Sequence, residues 1–443
     1  MLLSPERLSH QLSDTSPIWL SLSGGLDSMV LLALLKQTGL PFKAIHVNHQ
    51  LSANADRWAD HCRHWCERFK VPLVTERVVV CSSGGGLEQA ARDARYRAIA
   101  AHLEDAAQLV TAHHQDDQAE TVLLRLMRGS GPTGLAAIRA RQWFRKDAKG
   151  FWLIRPLLDV PRAALEGFAR TNHLTWVEDE SNQDTALDRN FLRSHIMPRL
   201  RDRWPTAAER LAQTAQLCGA NQRLLDQLAL EDGQRLMAES GERHPPAMGW
   251  QLSLDGLSAL SPERRNNLLR FWLARWSLIP DRIQLDEIWR QVSGAAGDAG
   301  VKFAIGGAEL RRFAGALWLL PAQLPVPTQV QCLAPGQTLP FGNGQVRLEP
   351  EAGGLALPAS GAFLLRARQG GERAQPVGRR HSQTLKKLLQ AQGLAPWLRD
   401  QLPLLYQDDR LAAVADLWLE QGAERAEKGW RLAWLLPQNQ PPF

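Results

Sequence analysis

Cysteine is scarce in this chain, with five residues in 443, an odd number scattered from Cys62 to Cys332. That usage excludes a disulfide framework and points to a reducing compartment. No CxxC pair is present. The nearest approach is Cys62-x-x-x-Cys66 with His61 and His64 beside it, on a stretch of helical pattern with no second ligand pair, so no metal centre is expected there. No apolar run reaches the roughly 18 residues of a membrane span. Met1 to Arg7 lacks the apolar core of a signal peptide, and a soluble cytoplasmic protein is expected. Tyrosine numbers two against sixteen tryptophans, most of them expected in cores and domain interfaces. No lysine follows a glycine pair in a GxxxxGK[ST] frame, which excludes the Walker type of phosphate loop.

What is present is a globular composition, 44% apolar and 22% charged, long enough for two to four domains. Pattern changes divide it into 1–205, 206–325 and 326–443. The first alternates strands and helices, the second is mainly helical, and the third is short-stranded and basic. Pro321 to Pro327 is the best linker. The net charge of +6 permits a polyanionic partner without requiring one.

The chain is organised around Ser23-Gly24-Gly25-Leu26-Asp27-Ser28. An apolar run of strand length, Pro17 to Leu22, precedes it, and a helical run from Met29 to Lys36, closed by Gly39, follows. A strand, a glycine turn and a helix start make a phosphate cradle, because the backbone can approach an anion and the helix dipole favours negative charge there. Ser23 and Ser28 add hydroxyls. Asp27 repels phosphate unless a cation intervenes, which makes it a Mg2+ partner. The plainer reading of the same hexapeptide is an ordinary capped turn.

Further strands are expected at Pro41–His49, Leu73–Val80, Gln108–Ala112 and Trp152–Leu158. The helices between them predict an α/β fold with an open, parallel, Rossmann-like sheet. Ligands of such sheets bind beyond the carboxyl ends of the strands. Ser23–Ser28, then Asn48 with His49, and then His113–Glu120 all follow strands and therefore share one rim. Asp116 or Asp117 lies three or four residues before Glu120 at a helix start, so the acids share a face. Such acids complement the helix dipole, hold Mg2+, or receive a cationic substrate and relay its proton. Arg189 and Arg193 suit either phosphate contact or helix-surface ion pairs.

Residues 366–387 hold seven Lys/Arg against one acid. Arg368, Arg373, Arg379, Arg380, Lys386 and Lys387, broken by glycines, read as a loop-presented patch for backbone phosphates rather than a merely solvated face.

The loop SGGLDS at 23–28 resembles that of the PP-loop ATP pyrophosphatases. HHQDDQAETVLLRLMRGSG at 113–131, RPLL at 155–158, EDESNQD at 178–184 and RNFLR at 189–193 resemble the bacterial tRNA(Ile)-lysidine synthetases. So do RQGGER at 368–373, HSQTLKKLLQ at 381–390, PWLRDQLPLLY at 396–406 and AVADLW at 413–418. The resemblance spans nearly the whole chain and is weakest between about 205 and 320.

It implies an adenine nucleotide alpha-hydrolase-like fold for 1–205, a tRNA-contacting connector and a basic α+β tRNA-binding domain. It also implies a ligase that uses ATP and Mg2+ to join L-lysine to C2 of the wobble cytidine in tRNA(Ile) with a CAU anticodon, through an adenylated cytidine. On that reading Ser23, Gly24, Gly25, Leu26, Asp27 and Ser28, with Asn48 and His49, bind ATP. Asp117 and Glu120, with Asp116 as rival, hold the lysine ammonium. Arg95 and His114 steady the intermediate, and Arg189 and Arg193 join the C-terminal patch in tRNA binding. A monomer or a homodimer would serve. The alternatives are a PP-loop tRNA thiolase, which needs a reactive cysteine or a CxxC cluster, and a non-catalytic nucleotide-dependent tRNA-binding protein, which has no use for the acidic trio.

Overall fold

A computed structural model describes residues 2–80, 87–146, 149–180, 184–239, 250–294, 301–322, 327, 329–342 and 344–435. The chain packs as two compact units, Met1–Leu224 and Leu225–Phe443.

The first unit begins α1 (Pro5–Ser9), β1 (Ile18–Ser21), α2 (Leu26–Thr38), β2 (Lys43–Asn48), α3 (Ala55–Phe69), β3 (Leu73–Arg77), α4 (Leu87–His102), β4 (Gln108–Val110) and α5 (Gln115–Met127). It continues α6 (Pro132–Leu135), β5 (Arg141–Lys146), β6 (Lys149–Ile154), α7 (Arg162–Thr171), α8 (Asp188–Phe191), a π-helical turn at Leu192–Ile196, α9 (Met197–Arg203) and the start of α10 (Ala207–Glu239). The sheet runs β3-β2-β1-β4-β6-β5. All its pairings are parallel except the edge hairpin β5–β6.

The expected open parallel sheet is therefore present, with an antiparallel edge the sequence reading did not contain. The fifth strand also stops at Ile154, so Arg155 to Leu158 lie beyond it. The loop expected at Ser82–Gly86 lies outside the described residues, as do Ser181 and Asn182.

Chain order reverses between β1 and β4. That switch point opens a crevice at the strand ends. One sheet face is covered by α1, α2, α3 and α7 through Leu20, Met29, Leu31, Trp65 and Leu165, all buried. The other is covered by α4 through Tyr96, Ile99 and Ala100 against Trp19, Leu109 and Phe151. Helix α2 is buried nearly all round from Leu26 to Leu35, as its continuous apolar run requires. Gly39, at φ 74°, ends it in a left-handed cap.

In the second unit, helices at Leu254–Ala259, Pro262–Ala274 and Arg282–Gly294 pack on a four-stranded antiparallel sheet. Its strands, in order, are Trp250–Ser253, Ala316–Pro321, Ala308–Phe313 and Lys302–Ile305. The mainly helical middle thus carries a sheet of its own. Beyond it come five- and three-stranded sheets around Leu333, Phe363, Leu405 and Leu432. The helix Leu385–Ala391 packs against Trp318 and Trp397. Residues 323–326 of the expected linker lie outside the described residues. Among the described residues, no helix is long and apolar enough to cross a membrane.

Candidate active site

The glycine turn after β1 is held from three sides. Gly24 adopts φ 86°, and a Cβ there would meet Cys62 Sγ at 3.1 Å and Val177 Cγ2 at 3.2 Å, so only glycine fits without displacement. The Val177 N–H donates to the Gly24 carbonyl at 3.0 Å. The Ser28 hydroxyl accepts from the Gly24 N–H at 3.1 Å and from Ser23 Oγ at 3.0 Å, and donates to the Gly25 carbonyl at 3.0 Å. Ser28 thus shapes the turn. Leu26 is buried in the core and offers the rim only its backbone. The first turn of α2 then presents the N–H groups that every helix start leaves over. Asp27 stands there with a buried Oδ1 that has no hydrogen-bond partner.

Beside this turn is a cavity of about 580 Å³, lined by Ser23, the residues from His46 to Ser52, Trp58, Arg95, Asp179 and Leu187 among others. Asn48 forms part of its wall, but its amide is engaged at home. Nδ2 donates to Asp56 Oδ1 at 2.9 Å, and Oδ1 accepts the Gln50 N–H at 2.9 Å, fixing a left-handed Gln50. Arg77 holds the same Asp56 oxygen at 2.9 Å. Asp56 and Arg77 carried no sequence signal, since an acid and a base on neighbouring elements look like ordinary surface. His49 accepts the Arg95 Nε–H at 3.3 Å. Burial first, and then the charge of Arg95 and the neighbouring His46, push its pKa down to about 4. The neutral imidazole is therefore the form at pH 7.

The acids that open α5 are divided among different partners. Asp116 accepts the Arg162 backbone N–H at 3.0 Å and a guanidinium N–H of Arg201. Asp117 Oδ2 accepts the His114 backbone N–H at 2.9 Å, closing the helix start, while its Oδ1 faces Arg189 at 3.1 Å and Arg193 at 3.3 Å. Glu120, 2% exposed, takes Arg189 Nε at 2.8 Å and Arg193 Nε at 2.7 Å. Burial raises the Asp117 pKa, but His114, Arg189, His113 and the His114 N–H together outweigh it and leave the carboxyl below its ordinary range. Burial works against the Arg193 charge, yet its bond to Glu120 and the charges of Glu120, Asp117 and Asp27 raise its pKa.

His114 is 1% exposed and sits amid these carboxylates. Its Nε2 is 3.6 Å from both Asp27 and Asp117, and its Nδ1 is 3.8 Å from Asp116. These separations exceed hydrogen-bond length, so the ring is poised rather than locked.

Asp27, Asp116, Asp117 and Glu120 thus face Arg189, Arg193 and Arg201, and one carboxylate charge is left uncompensated by arginine. Asp27 and Glu120 share one electrostatic neighbourhood across the switch point. For Arg189 and Arg193 the sequence left phosphate contact and ion pairing open, and in this structure both are ion-paired to the acids of α5. Sequence separations of 69 to 76 residues hid that pairing.

Cys62 and Cys66 are buried, and burial pushes both thiols up to about 12, which removes them as nucleophiles at neutral pH. Among the described residues no group of three or more His, Cys, Asp or Glu has metal-holding geometry.

In the second unit, Arg379, Arg380, Lys386 and Lys387 are exposed. Arg373 bonds Ser382 through Nε at 3.0 Å, and Arg368 turns inward between Glu372 at 3.7 Å and Asp400 at 3.6 Å.

Comparison with known proteins agrees with this layout. The profile of the PP-loop domain matches residues 4–200, that of the TilS substrate binding domain 252–318, and that of the TilS substrate C-terminal domain 364–434. The tRNA(Ile)-lysidine synthase of Pectobacterium atrosepticum is 39% identical over 434 residues, 96% of each chain. Those of Serratia proteamaculans and Shigella flexneri are 38% and 40% identical, covering 97% and 96% of this chain and 98% of each relative. With such identity along its whole length, and with glycine turn and acidic helix start meeting at one sheet rim, the chain belongs to the tRNA(Ile)-lysidine synthase family.

Proposed function

We propose that this protein ligates lysine to C2 of the wobble cytidine in tRNA(Ile) bearing a CAU anticodon, at the expense of ATP. The observation that carries the reading is the convergence, on one rim, of a phosphate-cradling turn and a carboxylate cluster built for a cation, in a chain that matches lysidine synthases from end to end.

The chemistry has two steps. The cytosine C2 oxygen attacks the α-phosphorus of ATP, forming an O–P bond and expelling pyrophosphate. The lysine ε-amine then attacks C2. The C–N bond forms, the C–O bond breaks, AMP leaves with the oxygen, and the amine proton passes to a base.

Ser23, Gly24, Gly25 and the first turn of α2 receive the phosphates through backbone N–H groups and the helix dipole. The residues also fit a magnesium ion. Asp27 offers a buried unpartnered oxygen beside the phosphate turn, and one carboxylate plus substrate phosphates is the usual ligand set for this cation. When bound, the ion neutralises charge on the triphosphate. His49 and Arg95 face the nucleoside cavity. Asp117 and Glu120 offer acceptors for the lysine ammonium, while Arg189 and Arg193 offer guanidinium groups for its carboxylate, so a zwitterion with one extra positive charge finds both signs at one place. His114, between Asp27 and Asp117, is placed to take the proton released by the amine. The target base must leave its stack to be reached. A tRNA substrate places the enzyme in the cytoplasm.

The test uses purified full-length protein, ATP, Mg2+, radiolabelled lysine and a tRNA(Ile) transcript. Label is expected in the RNA only when all are present. Sulfur transfer without lysine incorporation would end the reading.

A further inference from the structure

The helical segment that pairs with Asp117 and Glu120 has a second face. Asp188–Phe191 runs into the π-turn Leu192–Ile196, a rare geometry frequent at functional sites. Arg189 and Arg193 turn toward the acids of α5. Phe191 and His195, out of phase with them, stack on each other with ring centroids 5.0 Å apart and planes 13° from parallel. Phe191 nevertheless stays 44% exposed. Leu187, one turn earlier, lines the cavity beside the glycine loop, so the segment joins that cavity to an open aromatic surface. The next helix carries exposed Arg199 and Arg203. Ordering a phenylalanine by stacking while leaving it in water gains little hydrophobic burial. An ordered, half-exposed π-face next to a reaction site suits an unstacked nucleobase.

We propose that Phe191, held in orientation by His195, is a stacking platform for an unpaired anticodon-loop base adjoining the target cytidine. The proposal rests on the reading of the protein as a tRNA lysidine ligase. A base that splays out so that its neighbour can be modified loses its stacking partners. The Phe191 ring replaces one of them without reading sequence, and its contribution falls on RNA engagement alone.

The test is steady-state kinetics of the full-length enzyme with a tRNA(Ile) transcript, together with fluorescence of a transcript carrying 2-aminopurine at the middle anticodon position. Wild type is expected to quench the probe. Phe191→Ala is expected to relieve the quench and raise the tRNA KM about tenfold, leaving the ATP and lysine KM values within about twofold. Phe191→Trp should retain wild-type behaviour, and Phe191→Leu, apolar but without a π-face, should resemble Ala. Full activity in Phe191→Leu, or an unchanged tRNA KM in Phe191→Ala, overturns the platform. Loss of self-association in Phe191→Ala with unaltered RNA kinetics also overturns it and assigns the face to a protein contact. Failure of wild type to incorporate lysine sinks the functional reading instead, and is told apart because it needs no variant.

Discussion

Glu120 is the residue on which the cluster turns, because two guanidinium groups converge on a carboxylate that solvent scarcely reaches. Glu120→Gln keeps the shape and removes the charge. The lysine KM is expected to rise tenfold or more while the ATP KM stays near wild type, measured by initial rates with each substrate varied in turn. Equal increases in both would assign the cluster to the nucleotide. The same change should lower stability by less than the about 3–5 kcal/mol typical of a broken buried pair, because Arg189 and Arg193 keep 30% and 35% side-chain exposure and rehydrate.

His49 makes a second prediction with a defined sign. Unfolded, its imidazole takes a proton near 6.5, whereas in the fold it resists until about 4. Between those values the unfolded state binds more protons, so this residue's share of stability is intact above 6.5 and is lost as pH falls toward 4. His49→Gln cannot titrate, and denaturant unfolding at several pH values between 6.5 and 4 should show a shallower decline than wild type. Parallel declines would mean that His49 stays accessible to protons in the fold.

At the scale of elements, the turn between β1 and α2 depends on a backbone that only glycine adopts without strain. Gly24→Ala places a methyl against Cys62 and Val177 at a left-handed φ, a strain of about 1–2 kcal/mol before any displacement. The variant should unfold at lower temperature and lose most of the stabilisation that ATP confers on wild type, as followed by thermal melts with and without nucleotide. Retained stabilisation by ATP would show that the phosphates bind elsewhere.

This turn was also the most legible part of the sequence, because strand, glycine pair and helix start are contiguous and each constrains the next. Elements built from distant contacts were less so. The hairpin β5–β6 was missed because its tips, Arg145, Lys146 and Lys149, are charged and no Asn-Gly or Asp-Gly pair announces a turn. The four-stranded sheet of the second unit did carry a signal. Gly306 and Gly307, and then Ala314 and Gly315, sit at positive φ between short apolar strands, the mark of tight hairpins, inside a stretch dominated by helical spacing. The acidic helix start was legible as a cluster. Its division into Asp116 on Arg201 and Glu120 on Arg189 and Arg193 was not, because those partners are fixed only by the fold.

For the molecule as a whole, the reaction poses a recognition problem that the rim alone cannot solve. A methionine tRNA presents the same CAU triplet, so base edges at the anticodon cannot separate the two, and other features of the RNA must be read. The exposed Arg379, Arg380, Lys386 and Lys387, loop-borne at Gly378 and then carried onto the helix that starts at Leu385, are proposed to hold the RNA backbone while those features are read. Phosphate contacts fix register and orientation and act by releasing counterions, so their signature is salt dependence rather than sequence preference. On that proposal, replacing Arg379 and Arg380 together by Ala removes two such contacts. Binding of the tRNA(Ile) transcript should weaken, and the slope of log K against log salt should become shallower by about 1.5, while the KM values for ATP and lysine hold. The measurement is a filter-binding series across salt concentrations. A parallel shift, weaker binding at unaltered slope, would mean that the arginines act through local shape and not through phosphate. No change at all would return the patch to ordinary solvated surface and move the search for the phosphate contacts to the remaining basic residues of the second unit.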